Sequence, residues 1–237
     1  MSAIPARFLP LGNLLVFSPL GLSFVDDFTG EGPVGYLRPT LQAEVTPGSG
    51  QWQATGVRGL FTPGGVLAYP NLGRRGRASQ PPTPRNHRVL IDAQYYQPLY
   101  PGGPGAVGVV FPVTPYDDQS DFSTLKPTLV TLPLLPAANY PYFGGAAFLS
   151  GQTVGASGQP RVALVTAAEP YDLRANPRTT RVPTDASGHF RLPLRWGFKT
   201  RPTTITAADV ISGDTAPQDI SYPYDLSKPL TITIPNV

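Results

Sequence analysis

Apolar and polar side chains alternate with a period of two in segment after segment of this chain, which predicts strands with one buried face. In "HRVLIDAQYY", starting at His87, Val89, Ile91, Ala93 and Tyr95 share one face and Arg88, Asp92 and Gln94 the other, with Leu90 and Tyr96 as apolar exceptions. "HFRLPLRW" repeats the device: Phe190, Leu192, Leu194 and Trp196 point inward, His189, Arg191 and Arg195 outward. Pro193 falls on the outward set, and a residue that cannot donate a ladder bond predicts an edge strand or a bulge. Leu230, Ile232 and Ile234 alternate with Thr231 and Thr233 in a third clear case. Helix candidates are few: "VTAAEPYDLRA" is broken by Pro170, and "ITAADVIS" is too short to stand alone. The pattern predicts an all-β chain.

Turn signals space the strands as in a β-sandwich: "DDFTGEGP" (Asp26 to Pro33), "TPGG" (Thr62 to Gly65) and "TDASGHF" (Thr184 to Phe190). Between Asp117 and Gly145 the alternation lapses into a proline-rich stretch with an extended apolar middle, expected to be a linker. The expected organisation is an extended arm over 1–19, a first sandwich over 20–116, the linker over 117–145 and a second sandwich over 146–237. A weak internal repeat supports the division. Strands at Leu22–Asp27, Leu37–Val45, Arg88–Tyr95 and Val107–Val113, with "FTPGGVLAY" among them, run parallel to strands at Ala147–Val154, Arg161–Ala167, Thr203–Val210 and Leu230–Pro235, with "PTDASGHFRL" among them.

Composition sharpens this picture. The 237 residues include 30 Pro and 25 Gly but are 41% hydrophobic and only 14% charged. That much proline and glycine with so few charges excludes a helical bundle or coiled coil, while the apolar share is ample for a buried core. Cys is absent, which removes disulfides, thiolate metal sites and cysteine nucleophiles. The apolar stretch from Phe8 to Phe17 is interrupted by Pro10, Gly12 and Asn13 and has no cleavage signature, which argues against a secretory leader and for cytoplasmic synthesis. No run is long enough for a membrane helix.

"SGQTVGASGQPRVALVTAAE", "TTRVPTDASGHFRLPL", "TTITAADV" and "LTITIP" together resemble a carboxypeptidase regulatory-like domain, a transthyretin-like β-sandwich, over about 146–235. Gly151, Gly158, Pro160, Thr184, Asp185, Gly188 and Phe190 stand at the positions of that pattern, and "TDASGHF" is its most specific piece. The insert "PYDLRANPRTTRVP" and the lack of a clear G-x-Y near the end depart from it. The first half resembles the same class more faintly, over 20–113. The resemblance implies two tandem transthyretin-like or Ig-like sandwiches with long Pro/Gly-rich loops, used as spacers, adhesion units or docking platforms, and it transfers no active site.

Candidate chemistry is sparse. Gly30-Glu-Gly32-Pro-Val-Gly35 and Gly103-Pro-Gly105-Ala-Val-Gly108 match G-x-G-x-x-G but open no helix, so turns are expected and no nucleotide. His87 and His189 are the sole imidazoles, no G-x-S-x-G occurs, and both are expected at the surface, leaving no catalytic residue. Asp117, Asp118 and Asp121 lack the calcium-loop rhythm, so no metal or other cofactor is expected. Arg74, Arg75, Arg77, Arg85 and Arg88 crowd one proline-rich loop without interleaved aromatics. That disfavours nucleic acid and favours a soluble loop or a protein contact. Tyr95, Tyr96, Tyr100, Tyr140, Tyr142 and Phe143 cluster beside Pro and Gly. They either offer a carbohydrate-stacking or partner surface or seal the sandwich ends and the contact between domains. The expectation is a non-enzymatic structural or docking subunit of a larger protein assembly, an accessory component of a phage-tail-like or contractile injection particle. The alternative is a carbohydrate-binding or adhesion module at a cell surface.

Overall fold

The computed structural model describes residues 16–75, 83–103, 105–117, 120, 125–142, 146–169, 178–194, 203–220 and 226–235. Among them are sixteen strands and no helix, as the alternation predicts. The first nine are β1 (Leu20–Asp26), β2 (Leu37–Glu44), β3 (Trp52–Ala54), β4 (Leu60–Phe61), β5 (Leu67–Ala68), β6 (Arg85–Ala93), β7 (Tyr96–Pro98), β8 (Val109–Val113) and β9 (Thr128–Pro136). They form two sheets, β4-β5-β1-β9-β7 and β3-β2-β6-β8. Leu20, Leu22, Leu132 and Leu134 from the one meet Leu41, Val89, Phe111 and Val113 from the other in a single buried core.

The remaining strands are β10 (Ala147–Gly155), β11 (Ala163–Glu169), β12 (Arg178–Pro183), β13 (His189–Leu194), β14 (Thr203–Asp209), β15 (Thr215–Ile220) and β16 (Leu230–Ile234). Their sheets are β13-β10-β16 and β12-β11-β14-β15, closed over a second core that includes Leu149, Val165, Leu192, Ile205 and Ile232. The two halves share one strand order. β5-β1-β9 corresponds to β13-β10-β16, and β3-β2-β6-β8 to β12-β11-β14-β15, with β4 and β7 added at the flanks of the first. In each half the opening strand lies parallel to the closing one, Leu20 opposite Thr128 and Gly151 opposite Leu230.

This corrects the sequence expectation in two places. The stretch 117–145 is not merely a linker, because it contains β9, the closing strand of the first sandwich. The repeat therefore matches β8 to β15 and β9 to β16, instead of Val107–Val113 to Leu230–Pro235. Proline conceals β9 without harming it. Leu134 turns its C=O to the β1 side, where it accepts the Asp27 N–H at 3.0 Å. Pro133 thus faces the β7 side, where its C=O accepts the Leu99 N–H at 2.9 Å, and the N–H it lacks takes nothing from the β1 ladder.

Gly151, Thr184, Asp185 and Gly188 serve the closure of the second half. Asp185 Oδ1 accepts the N–H groups of Ser187 and His189 at 2.8 and 2.9 Å, and Gly188 takes the φ of +76° that lets the hairpin return. The Gly188 C=O accepts from Thr153 N–H, and Thr184 Oγ1 accepts the Ala163 N–H, tying this turn to β10 and β11. A Cβ on Gly151 would collide with the Leu230 carbonyl and the Phe190 ring. β13 is an edge strand, as Pro193 predicts, but Pro193 itself is buried, opposite Phe148.

Candidate functional site

The acidic dipeptide at the end of β1 organises the junction of the two sandwiches. Asp26 is buried, and its Oδ1 accepts the N–H groups of Phe28 and Thr29 at 2.8 and 3.2 Å, closing the loop after β1. Its Oδ2 accepts the hydroxyls of Tyr140 at 2.6 Å and Tyr96 at 3.1 Å, and Tyr96 in turn accepts the Val34 N–H at 2.9 Å. One carboxylate thereby ties the loop after β1 to β7 and to the chain leaving β9. Burial, with the carboxylate alongside, pushes the Tyr96 hydroxyl up to about 12 and moves Tyr140 upward as well. Both stay protonated donors.

Asp27 reaches the other way. Arg181 on β12 grips it with both arms of its guanidinium, Nη2 on Oδ1 and Nε on Oδ2 at 3.1 Å. A forked, largely enclosed pair of this kind fixes orientation as well as distance. A column of rings runs beside it. Phe28 packs edge-on against Tyr140 and Tyr142 (centroids 6.0 and 5.3 Å), and Tyr142 against Phe148 at 5.1 Å. Arg191 caps the column, its guanidinium 3.8 Å from the Phe148 ring centre. A third contact lies at Gly105, where a Cβ would stand 3.0 Å from the Val210 carbonyl. Between the sandwiches opens a cleft of about 340 Å³, lined among others by Gln97, Tyr142, Asp185, His189, Phe190 and Arg191.

The loop after β1 has a counterpart. Asp209 Oδ1 accepts the N–H groups of Ile211 and Ser212 at 2.7 and 2.9 Å, Asp209 N–H donates to Asp214, and Gly213 N–H returns to Asp209. Asp26, Glu31 and Gly30 make the same set. Burial works against the Asp209 charge, but the Ser212 and Ile211 N–H groups and the Arg161 guanidinium hold it below the usual aspartate value.

The predicted site residues divide clearly. Tyr96 and Tyr140 are buried at the junction, and Tyr142, half-buried there, also lines the cleft. Tyr100 accepts the Ile91 N–H at 2.8 Å and Tyr95 the Gln94 amide at 3.0 Å. Arg85 donates to the Glu44 carbonyl at 2.6 Å, Arg88 donates to Gln42 at 2.6 Å and lies over Trp52, and the backbone N–H groups of Arg74 and Arg75 bond to Asn71 and Tyr116. Arg77, Phe143, Asp118 and Asp121 lie outside the described residues, while Asp117 closes a local turn with Ser120.

His87 departs from expectation. It is buried against Phe111, with Nδ1 3.1 Å from the Arg85 carbonyl, because it is the third residue of β6 and lies on the core face. Desolvation lowers its basicity. His189 is exposed, its Nδ1 3.9 Å from Asp185, too far for a hydrogen bond. The described residues of both G-x-G-x-x-G strings lie in connections and open no helix. Among the described residues no three metal-ligating side chains gather, and no helix is long and apolar enough to cross a membrane. Sequence reasoning missed Asp26, Asp27, Arg181 and Arg191 as partners. The one legible signal was the shared D-x-[FI]-[TS]-G string of Asp26–Gly30 and Asp209–Gly213.

No family model matches this chain, and no curated protein matches it. Among solved structures it is similar to the Bacillus anthracis TIE protein, at 10% identity and a TM-score of 0.28, covering 93% of this chain and 33% of that one. It is also similar to a streptococcal ancillary pilin, at 12% identity and a TM-score of 0.30, covering 94% of this chain and 63% of that one. The chain thus spans about a third and under two thirds of their lengths. Likenesses this distant carry no function across.

Proposed function

We propose that this chain is a non-enzymatic structural module: two sandwiches of one strand order, held at a fixed angle, that space and dock other subunits of a protein assembly. The observation that carries it is the junction, where Asp27–Arg181 and the Phe28–Tyr142–Phe148 column join the halves through side chains from both. Freely jointed domains meet through small polar contacts, whereas this junction has an enclosed ion pair and a ring stack. We place the first sandwich from about Leu20 to about Tyr140, with β9 as its last strand. The strand order common to both halves, together with the closure roles of Gly151, Thr184, Asp185 and Gly188, supports the transthyretin-like reading. The narrower phage-tail-like expectation finds no support in the comparisons.

A second reading, an adhesion module at a cell surface that binds carbohydrate, draws on the cleft, where Tyr142 and Phe190 stand beside Gln97, Asp185, His189 and Arg191. Residual dipolar couplings on the whole chain test the first reading. A single alignment tensor for both halves is expected, and independent tensors would overturn it. A glycan array tests the second, with selective binding lost on Tyr142→Ala.

A further inference from the structure

Among the described residues, strand β2 is paired along its length on one side only. Leu37 to Ala43 lie against β6, but on the opposite side β3 reaches no further than Gln42, and the last bond is Thr55 N–H to the Leu41 C=O at 3.0 Å. The phase of the ladder tells which groups face the open side. Leu41 C=O points there, and Ile91, opposite Pro39, sends its N–H away from β2 to the Tyr100 hydroxyl. Residues 37, 39 and 41 therefore turn their main-chain groups outward. Pro39 brings no donor, so this edge presents mainly carbonyls, those of Leu37 and Pro39.

Between that edge and residues 56–59 runs a groove of about 740 Å³, floored by Leu37, Pro39 and Val57 and flanked by Arg38 and Arg58. Val57 in its lining is 43% exposed, Tyr36 and Leu60, which adjoin the lining residues Leu37 and Gly59 in the chain, are 43% and 61% exposed, and Phe61 shares with Leu37 the neighbouring hollow. Among the described residues no carboxylate lies within ion-pair distance of Arg38 or Arg58. Arg38 is held over the Tyr36 ring at 4.4 Å. The Tyr69 ring lies directly behind Gly59 of the groove wall, and its buried hydroxyl has no hydrogen-bond partner among the described residues. An open ladder, an apolar floor and two cations without carboxylate partners coincide in one place.

We propose that this groove takes an extended, acidic segment of a partner protein, which adds as a strand beside Leu37–Leu41. Its N–H groups meet the Leu37 and Pro39 carbonyls, alternate aliphatic side chains lie on Leu37, Pro39 and Val57, and its carboxylates pair with Arg38 and Arg58. The inference rests on the docking role proposed above and names the chemistry of the partner.

The test uses the full chain and three blocked synthetic peptides: alternating Val-Glu, alternating Val-Lys, and the Val-Glu peptide N-methylated at every second amide. Binding is read by fluorescence anisotropy and located by backbone amide shifts. The Val-Glu peptide is expected to bind about tenfold tighter than the Val-Lys peptide, with shifts confined to residues 36–41 and 56–59. Methylation should abolish binding, and Arg58→Glu, a change at an exposed position, should reverse the charge preference. Equal binding of the two charges, shifts centred on the cleft beside His189, or no binding of the Val-Glu peptide overturns the proposal. Native purification separates the two readings. A chain that binds the peptide yet never co-sediments with an assembly refutes the docking role, and an Arg58→Glu chain that still enters its assembly unchanged refutes the groove.

Discussion

At the scale of single residues, charge placement decides more than charge count. Asp26 and Asp27 are neighbours in sequence with opposite duties, one closing its own loop and the other crossing to Arg181. Asp26→Ala strands two main-chain donors and two hydroxyls in a buried place and is expected to cost roughly 3 kcal/mol or more. Asp26→Asn keeps an acceptor for the loop, and the tyrosine hydroxyls can rotate to accept, so about 1 kcal/mol is expected; urea unfolding checks both. His87 gives a pH signature. Its folded form binds a proton more weakly than the unfolded chain, whose imidazole titrates near 6.5. Stability contributed by the neutral ring is therefore complete above 6.5 and is lost as pH falls below it, toward the depressed folded value. Melting temperature is expected to fall between pH 7.5 and 5, and His87→Phe should flatten that part of the profile.

At the scale of elements, alternation made most strands legible and proline hid one. Leu230, Ile232 and Ile234 show their face openly, whereas β9 carries Pro133 and Pro136 and reads as a spacer. Which side of the ladder a proline turns its missing donor to depends on pairing partners far along the chain, and no local pattern records that. Pro133→Ala is accordingly expected to change stability by less than about 1 kcal/mol, while Leu134→Pro, which removes a donor on the β1 side, should cost about 3 kcal/mol or more. Amide exchange across residues 20–26 distinguishes the two. The junction was half legible: the crowding of Tyr beside Pro marked the place, but Arg181 sits in the insert that departs from the family pattern. A side-chain pair 154 residues apart leaves no periodic trace.

At the scale of the whole molecule, the junction couples two cores that could otherwise melt separately. Arg181→Ala breaks the fork and leaves Asp27 enclosed without its partner. It should resolve one calorimetric transition into two and give the halves separate tumbling times in NMR relaxation; an unsplit transition would show that the ring column alone suffices. Yet the feature with the widest reach is the parallel pairing of opening and closing strands, seven partner positions between β1 and β9 and five between β10 and β16. A chain that enters along one strand and leaves along its parallel neighbour departs from the far end of the sandwich. Tension applied through the polypeptide then pulls those two strands lengthwise past each other, so the bonds between them must yield together and not one by one. Geometry alone equips each half to bear a pull along its axis.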